Sequence, residues 1–154
     1  MTKISSDWLK LEEDLAKWLR GYSSKHLIYK GPNQCIVGFP SNGFRSDGML
    51  TDNNTLLAIE VEVTQTHPDT NVGKYWLLYE IKKYNKIILF HIYTPKFNSY
   101  GWRIKLAEFL AEKMHAEVPI EYIILDYRTA TKYGSSLESI KSEILAKLRE
   151  TFRL

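Results

Sequence analysis

The spacing of hydrophobic residues along the chain changes several times between a helical and an extended period. Apolar residues from Trp8 to Leu19 recur every three or four positions, which predicts a helix over residues 6–22 that Gly21 closes. Extended spacing follows. It predicts two short strands over residues 25–30 and 35–39, a strand over 44–51 with a kink at Gly48, and a longer strand over 56–64.

The second half of the chain alternates helices with strands. A helix capped by Asp69 or Thr70 and extending over residues 71–84 is predicted first, and the motif Ser135 to Glu138 has the form of a capping box that opens a C-terminal helix. Between them the pattern predicts a strand over residues 86–94, a helix over 102–115 and a strand over 120–127.

This order of elements predicts the fold class. Strands that are separated by helices pair in parallel, and their sheet is covered by helices on both faces. We therefore expect an α/β fold with a mixed central β-sheet flanked by helices. At 154 residues the chain is long enough for one domain, and we expect that domain to span residues 1–154.

The strand over residues 56–64 carries an unusual pair of charges. It is apolar on both faces, so we expect a central position in the sheet, yet Glu60 and Glu62 point to one of those faces. Two adjacent carboxylates repel each other, and burying them is costly without a partner. The pattern therefore predicts that a divalent cation or a nearby lysine compensates them.

Composition limits the classes of protein to consider. Hydrophobic residues make up 44% and charged residues 25%, which excludes a disordered chain. The apolar runs are too short to span a bilayer, and the first residues lack the pattern of a secretory signal. The lone Cys35 excludes an internal disulfide and a zinc site built on thiolates. We expect a cytoplasmic protein with no membrane partner.

A third acidic residue precedes the charged strand. Pairing the two strands would bring Asp47 beside Glu60, and oxygen ligands of this kind suit Mg²⁺ or Mn²⁺. The carbonyl of Val61 is a candidate third ligand. Glu62 is placed to take the proton of an attacking water.

These residues resemble a known family. Asp47, followed by Glu60-Val61-Glu62 on the next strand, within an αβββαβ order of elements, is similar to the PD-(D/E)xK nuclease superfamily with its restriction endonuclease-like fold. The resemblance covers residues 8–93, and the later helix, strand and helix fit as an αβα extension. It implies hydrolysis of phosphodiester bonds in DNA that depends on Mg²⁺.

The motif departs from the usual family pattern at one position. Glu62 stands where most members have lysine, as in the E-x-E form found in some restriction enzymes. In other members the lysine has moved to the following helix, where this sequence has Lys74. Members related to junction resolvases also use a glutamate of the first helix, and Glu12 matches that position.

Two functions remain open from the sequence. The first is an active metal-dependent DNA endonuclease, and the second is a non-catalytic DNA-binding or assembly module on the same fold. The net charge of +3 is too small to decide between them, although Lys82, Lys83 and Lys86 form a basic cluster. A second copy of the chain, forming a homodimer, also stays open as a partner.

Overall fold

The computed structural model describes residues 4–38, 43–64, 67–97 and 101–154. A short 3₁₀-helix, Ser6–Lys10, leads into the first α-helix. The α-helices are α1 (Leu11–Arg20), α2 (Pro68–Lys82), α3 (Gly101–Met114) and α4 (Tyr133–Phe152). The strands are β1 (Ile28–Lys30), β2 (Cys35–Val37), β3 (Phe44–Arg45), β4 (Gly48–Thr51), β5 (Thr55–Glu62), β6 (Lys86–Tyr93) and β7 (Ile120–Asp126).

Five of the strands form one mixed sheet in the order β1-β4-β5-β6-β7. The pairs β1–β4 and β4–β5 are antiparallel, whereas β5–β6 and β6–β7 are parallel. The parallel pairs are joined through α2 and α3, as expected for strands that alternate with helices. The predicted α/β class, the mixed sheet and the central position of β5 are confirmed. β2 and β3 form a separate two-stranded sheet.

Helices cover both faces of the main sheet. Alternate residues of β5 divide between two apolar clusters, because successive side chains of a strand point to opposite faces. Leu57, Ile59 and Val61 pack with residues of α1 and α4. Leu56 and Ala58 pack on the opposite face with residues of α2 and α3. Glu60 and Glu62 continue the second set, so they lie on the face that α2 and α3 cover.

The predicted strand over residues 44–51 is broken rather than kinked. Its first part belongs to the small sheet and its second part to the main sheet, with Ser46 and Asp47 in between. The Ser46 hydroxyl accepts a hydrogen bond from the Gly48 amide at 3.2 Å, which stabilises the turn. A side chain at Gly48 would lie 3.2 Å from the Ile59 side chain and 3.4 Å from Leu19, so α1 packs closely on the strands here. This break places Asp47 directly before β4 rather than inside a strand.

Two predicted helix starts are wrong. α2 begins at Pro68, ahead of Asp69 and Thr70, because proline is preorganised for the first helical position. α4 begins at Tyr133, so the expected capping box lies inside the helix and provides no side-chain cap. Within the described ranges, none of the helices has both the length and the apolar character needed to cross a bilayer.

Candidate functional site

Acidic side chains converge where β5 ends, on the face of the sheet beneath α2. Glu60 and Glu62 are fully buried there, with 1% and 0% of their surfaces exposed. An ionised carboxylate at such depth requires hydrogen-bond or charge partners. The neighbouring helix and strand provide them, and the two glutamates have different partners.

Glu60 is held by two consecutive residues of α2. Lys74 Nζ lies 2.7 Å from Oε1, and the Tyr75 hydroxyl donates to Oε2 at 2.6 Å. Burial raises the pKa of Glu60 to about 8, while the charge of Lys74 opposes that shift. The cation compensating this acid in the structure is therefore the lysine, one of the two alternatives that the sequence left open.

Lys74 is buried together with its partner. Its ammonium group also donates to the Arg45 carbonyl at 2.5 Å and to Asn71 Oδ1 at 3.1 Å. Three acceptors match the three donors of an ammonium group, so each N–H has a partner at this depth. The lysine of the following helix is thus directed towards Glu60 rather than towards solvent.

Asp47 reaches the same place from the break before β4. The antiparallel register pairs Gly48 with Ile59, so the next position outward sets Asp47 beside Glu60. Asp47 Oδ2 accepts a hydrogen bond from the Val61 amide at 2.7 Å. Burial raises the pKa of Asp47, and the bond from Val61 and the charge of Lys74 oppose the rise.

Glu12 approaches Asp47 from α1. The side chains of these two acids are hydrogen-bonded to each other, and Glu12 is half-buried. Burial, followed by the charge of Asp47, raises the pKa of Glu12 to about 7. A carboxyl–carboxylate pair of this kind shares a proton between two groups that would otherwise repel each other.

Glu62 has partners of its own. Oε1 accepts a hydrogen bond from Asn71 Nδ2 at 2.5 Å and lies 2.8 Å from His91 Nε2. Oε2 is buried and has no hydrogen-bond partner among the described residues. The other ring nitrogen of His91, Nδ1, lies 2.5 Å from the Tyr122 hydroxyl. Glu62 is therefore anchored through one oxygen, and the other has no partner in the described ranges.

Of the side chains that bind these acids, Lys74 was predicted from the sequence, whereas Asn71, Tyr75 and His91 were not. Asn71 and Tyr75 lie one turn apart on α2, and this spacing does not distinguish them from other residues on one face of a helix. His91 did carry a signal, because it interrupts the apolar strand KIILFHIY at a position that must be buried. A buried histidine requires a partner for each ring nitrogen, and the neighbouring central strand was the nearest source.

The donor set fits a hard divalent cation in charge and in atom type. Glu12, Asp47 and Glu60 offer carboxylate oxygens, which Mg²⁺ and Mn²⁺ prefer. The Val61 amide points at Asp47, and in an extended strand the carbonyl of the same residue points to that side too. Across the described part of the chain, however, no group of three or more Asp, Glu, His or Cys side chains is already arranged to hold a metal. Asp47 and Glu12 are two acids of this set whose carboxyl groups interact with each other.

A cleft opens beside Glu12. It has a volume of about 590 Å³ and lies between α1 and the turn that follows β1. Lys17 and Arg20 are exposed and line its α1 side, while Tyr29 and Gln34 line the opposite side. An extended polar molecule in this cleft would contact Glu12, which lines it on the α1 side.

Comparison of the chain with protein-family models, with curated proteins and with solved structures finds no match. The functional argument therefore depends on the geometry of the site.

Proposed function

We propose that the protein is a metal-dependent DNA endonuclease whose site is an E-x-E variant of the PD-(D/E)xK type. The proposal depends on one observation, which is that side chains from three parts of the chain lie next to one another. Asp47 precedes β4, Glu60 lies beside it on β5, and Lys74 of α2 places its Nζ 2.7 Å from Glu60 Oε1. Two acids and a lysine in this arrangement suit the hydrolysis of a phosphodiester bond.

The order of elements in the main sheet supports a restriction endonuclease-like fold. Without the small β2–β3 sheet, the order is α1, β1, β4, β5, α2, β6, which is the αβββαβ series of the resemblance. α3, β7 and α4 then form the αβα extension. The β2–β3 sheet is an insertion between β1 and β4, directly before the residue that contributes the first acid.

Each acid has a distinct role in the proposed reaction. Mg²⁺ or Mn²⁺, when bound, would polarise the phosphate and lower the pKa of a bound water. Asp47 and Glu12 would hold that ion once their shared proton has left, with Glu60 and the Val61 carbonyl on the same side. Lys74 supplies a fixed positive charge near the phosphate, the role of the lysine that the E-x-E form lacks.

Glu62 is the proposed base. As the water oxygen forms its bond to phosphorus, the water proton passes to the free Oε2. The bond between phosphorus and the leaving sugar oxygen breaks, and that oxygen takes a proton from solvent. Glu62 then returns its proton to solvent, so the protein is unchanged after each cycle.

A non-catalytic DNA-binding or assembly module is the second candidate. It is favoured by the absence of a ready group of three metal-binding side chains among the described residues. It is also favoured by Glu60, whose two oxygens are already occupied by Lys74 and Tyr75. In that case the buried ion pair would serve stability, and the cleft beside Glu12 would still bind DNA.

Cleavage of supercoiled plasmid DNA tests the proposal. We expect wild type to nick the plasmid with Mg²⁺ or Mn²⁺ and to be inactive in EDTA. Asp47→Asn should abolish nicking without loss of DNA binding, whereas Glu138→Gln, an exposed acid on α4, should leave the rate unchanged. Nicking in EDTA would contradict the proposal. DNA binding without cleavage under any metal condition would favour the second candidate.

A further inference from the structure

The unusual feature of Glu62 is that its two oxygens differ completely in their surroundings. Oε1 is bound by Asn71 and His91, whereas Oε2 is buried without a partner among the described residues. A buried carboxylate oxygen without a donor is costly, so natural proteins rarely keep one without a function. The arrangement leaves one oxygen without a donor among the described residues, and the bonds to the other oxygen fix the orientation of the carboxylate.

His91 is itself held on both sides. Its side chain has no exposed surface, Nε2 lies 2.8 Å from Glu62 Oε1 and Nδ1 lies 2.5 Å from the Tyr122 hydroxyl. The Tyr93 ring lies against the imidazole with centroids 4.7 Å apart, and the Tyr122 ring meets it edge-on at 5.6 Å. The imidazole can therefore neither rotate nor shift without losing several contacts.

The partners of His91 favour one arrangement of protons on the ring. The hydroxyls of Tyr122 and Tyr93 lie 2.5 Å and 3.3 Å from Nδ1, and a phenol keeps its proton at neutral pH, so each is able to donate to Nδ1. A carboxylate has no proton to donate, so the contact with Glu62 requires a proton on Nε2. The consistent arrangement is a chain of donors from Tyr122 through His91 to Glu62.

We propose that His91 is a positioning residue that orients Glu62, with its Nε2–H fixing Oε1 so that Oε2 is presented to the attacking water. This inference rests on the proposed function, and it adds a residue that the D…E-x-E pattern does not contain. A histidine whose second nitrogen is fixed by a further partner is a common way to hold an acid in one orientation. His91 acts through Glu62 and makes no contact with the DNA itself.

Two substitutions of His91 separate orientation from simple packing. Glutamine carries its amide nitrogen about as far from the backbone as Nε2 and can still donate to Glu62, whereas asparagine reaches only as far as Nδ1. We expect His91→Gln to keep most of the kcat and His91→Asn to lose roughly 10- to 100-fold, with KM nearly unchanged in both. The same pair at His115, whose Nδ1 contacts the Ile120 carbonyl at 2.9 Å, is the matched control and should leave kcat unchanged. Equal rates for the two His91 variants would overturn the proposal.

Nitrogen-15 NMR of the histidine side chains provides a measurement that does not depend on cleavage. His91 is assigned by comparing wild type with His91→Gln, and we expect a proton on Nε2. If Nε2 carries no proton, Glu62 must be the donor in this contact and cannot accept a proton from water. That result would overturn the proposed role of His91 but not the proposed function. A wild type that never cleaves DNA would instead overturn the proposed function, whatever the NMR result.

Discussion

Lys74 Nζ lies 2.7 Å from Glu60 Oε1, and only 5% and 2% of the two side chains is exposed. Such a pair is sensitive to the loss of one member, because the remaining charge is left buried without a partner. The same contact keeps the lysine directed towards the proposed phosphate position. The ion pair therefore contributes to the stability of the fold and also fixes the position of the lysine in the proposed function.

A double-mutant cycle measures the stability of this pair. Lys74→Met should lower the free energy of unfolding by about 3–5 kcal/mol, because it leaves Glu60 buried with Tyr75 as its one donor among the described residues. Glu60→Gln should also destabilise the protein, since Lys74 loses its counter-charge. The double variant should be more stable than the additive expectation, as urea denaturation would show. Additive losses would show that the two groups do not interact.

The Tyr75 hydroxyl should also contribute to stability. It donates to Glu60 Oε2 at 2.6 Å and lies 2.8 Å from the Ser46 hydroxyl, next to Asp47. Tyr75→Phe should cost about 1–3 kcal/mol, because a buried carboxylate oxygen loses its donor. Tyr127→Phe, whose hydroxyl bonds the exposed Ser139 at 2.9 Å, is the matched control and should cost much less. Equal losses in thermal denaturation would contradict a special role for Tyr75.

The sheet and most helices were predictable because their signals are local and repeated. The apolar spacing from Trp8 to Leu19 and the continuous apolar strand of β6 require burial on known faces, which decides the element type. Helix starts were less predictable. Pro68 and Tyr133 begin their helices without side-chain caps, so the capping motifs nearby were misleading.

The acids of the site were also visible in the sequence, but of their partners only Lys74 was. Glu60 and Glu62 stood out because charges are rare in a buried strand. Which donor meets which acid depends on the packing of α2 on the sheet and on the parallel register that sets His91 against Glu60. These are contacts between distant parts of the chain, and no local pattern specifies them.

The proton shared by Glu12 and Asp47 predicts a pH dependence. The pKa of Glu12 is raised from 4.5 to about 7, so its protonation stabilises the fold below about pH 4.5, and this contribution is lost as pH rises through about 7. Glutamine does not titrate, so Glu12→Gln removes this loss of stability at high pH. Without divalent ions its melting temperature should therefore exceed that of wild type at pH 8, and the difference should shrink at pH 5.

Glu13→Gln is the control for this measurement, since Glu13 is the exposed neighbour on the same helix. It should show the same pH dependence as wild type. A Glu12→Gln variant that follows the wild-type curve between pH 5 and 8 would show that the two carboxyls do not share a proton.

The cleft beside Glu12 should bind the backbone of a DNA strand. Lys17 and Arg20 line it from α1, about one helical turn apart, and both are exposed, so their charges are accessible to phosphates. Each lysine or arginine that neutralises a phosphate contributes about −0.9 to the slope of log K against log salt concentration. The double variant Lys17→Glu, Arg20→Glu should therefore bind a fluorescent duplex roughly tenfold or more weakly at about 0.1 M salt, with a slope reduced by about two.

The matched control for the cleft is Lys82→Glu, Lys83→Glu, which makes the same change of charge at the far end of α2. Both double variants are measured in EDTA, so that binding is separated from cleavage. If binding depends only on a general attraction between DNA and a basic protein, both variants should bind DNA equally weakly, because that attraction depends on net charge. If the DNA follows the cleft, only the α1 variant should bind it more weakly. Lys82 and Lys83 lie at the C-terminal end of α2, away from Glu60 and Asp47. Equal binding by the two variants would place the DNA elsewhere on the protein.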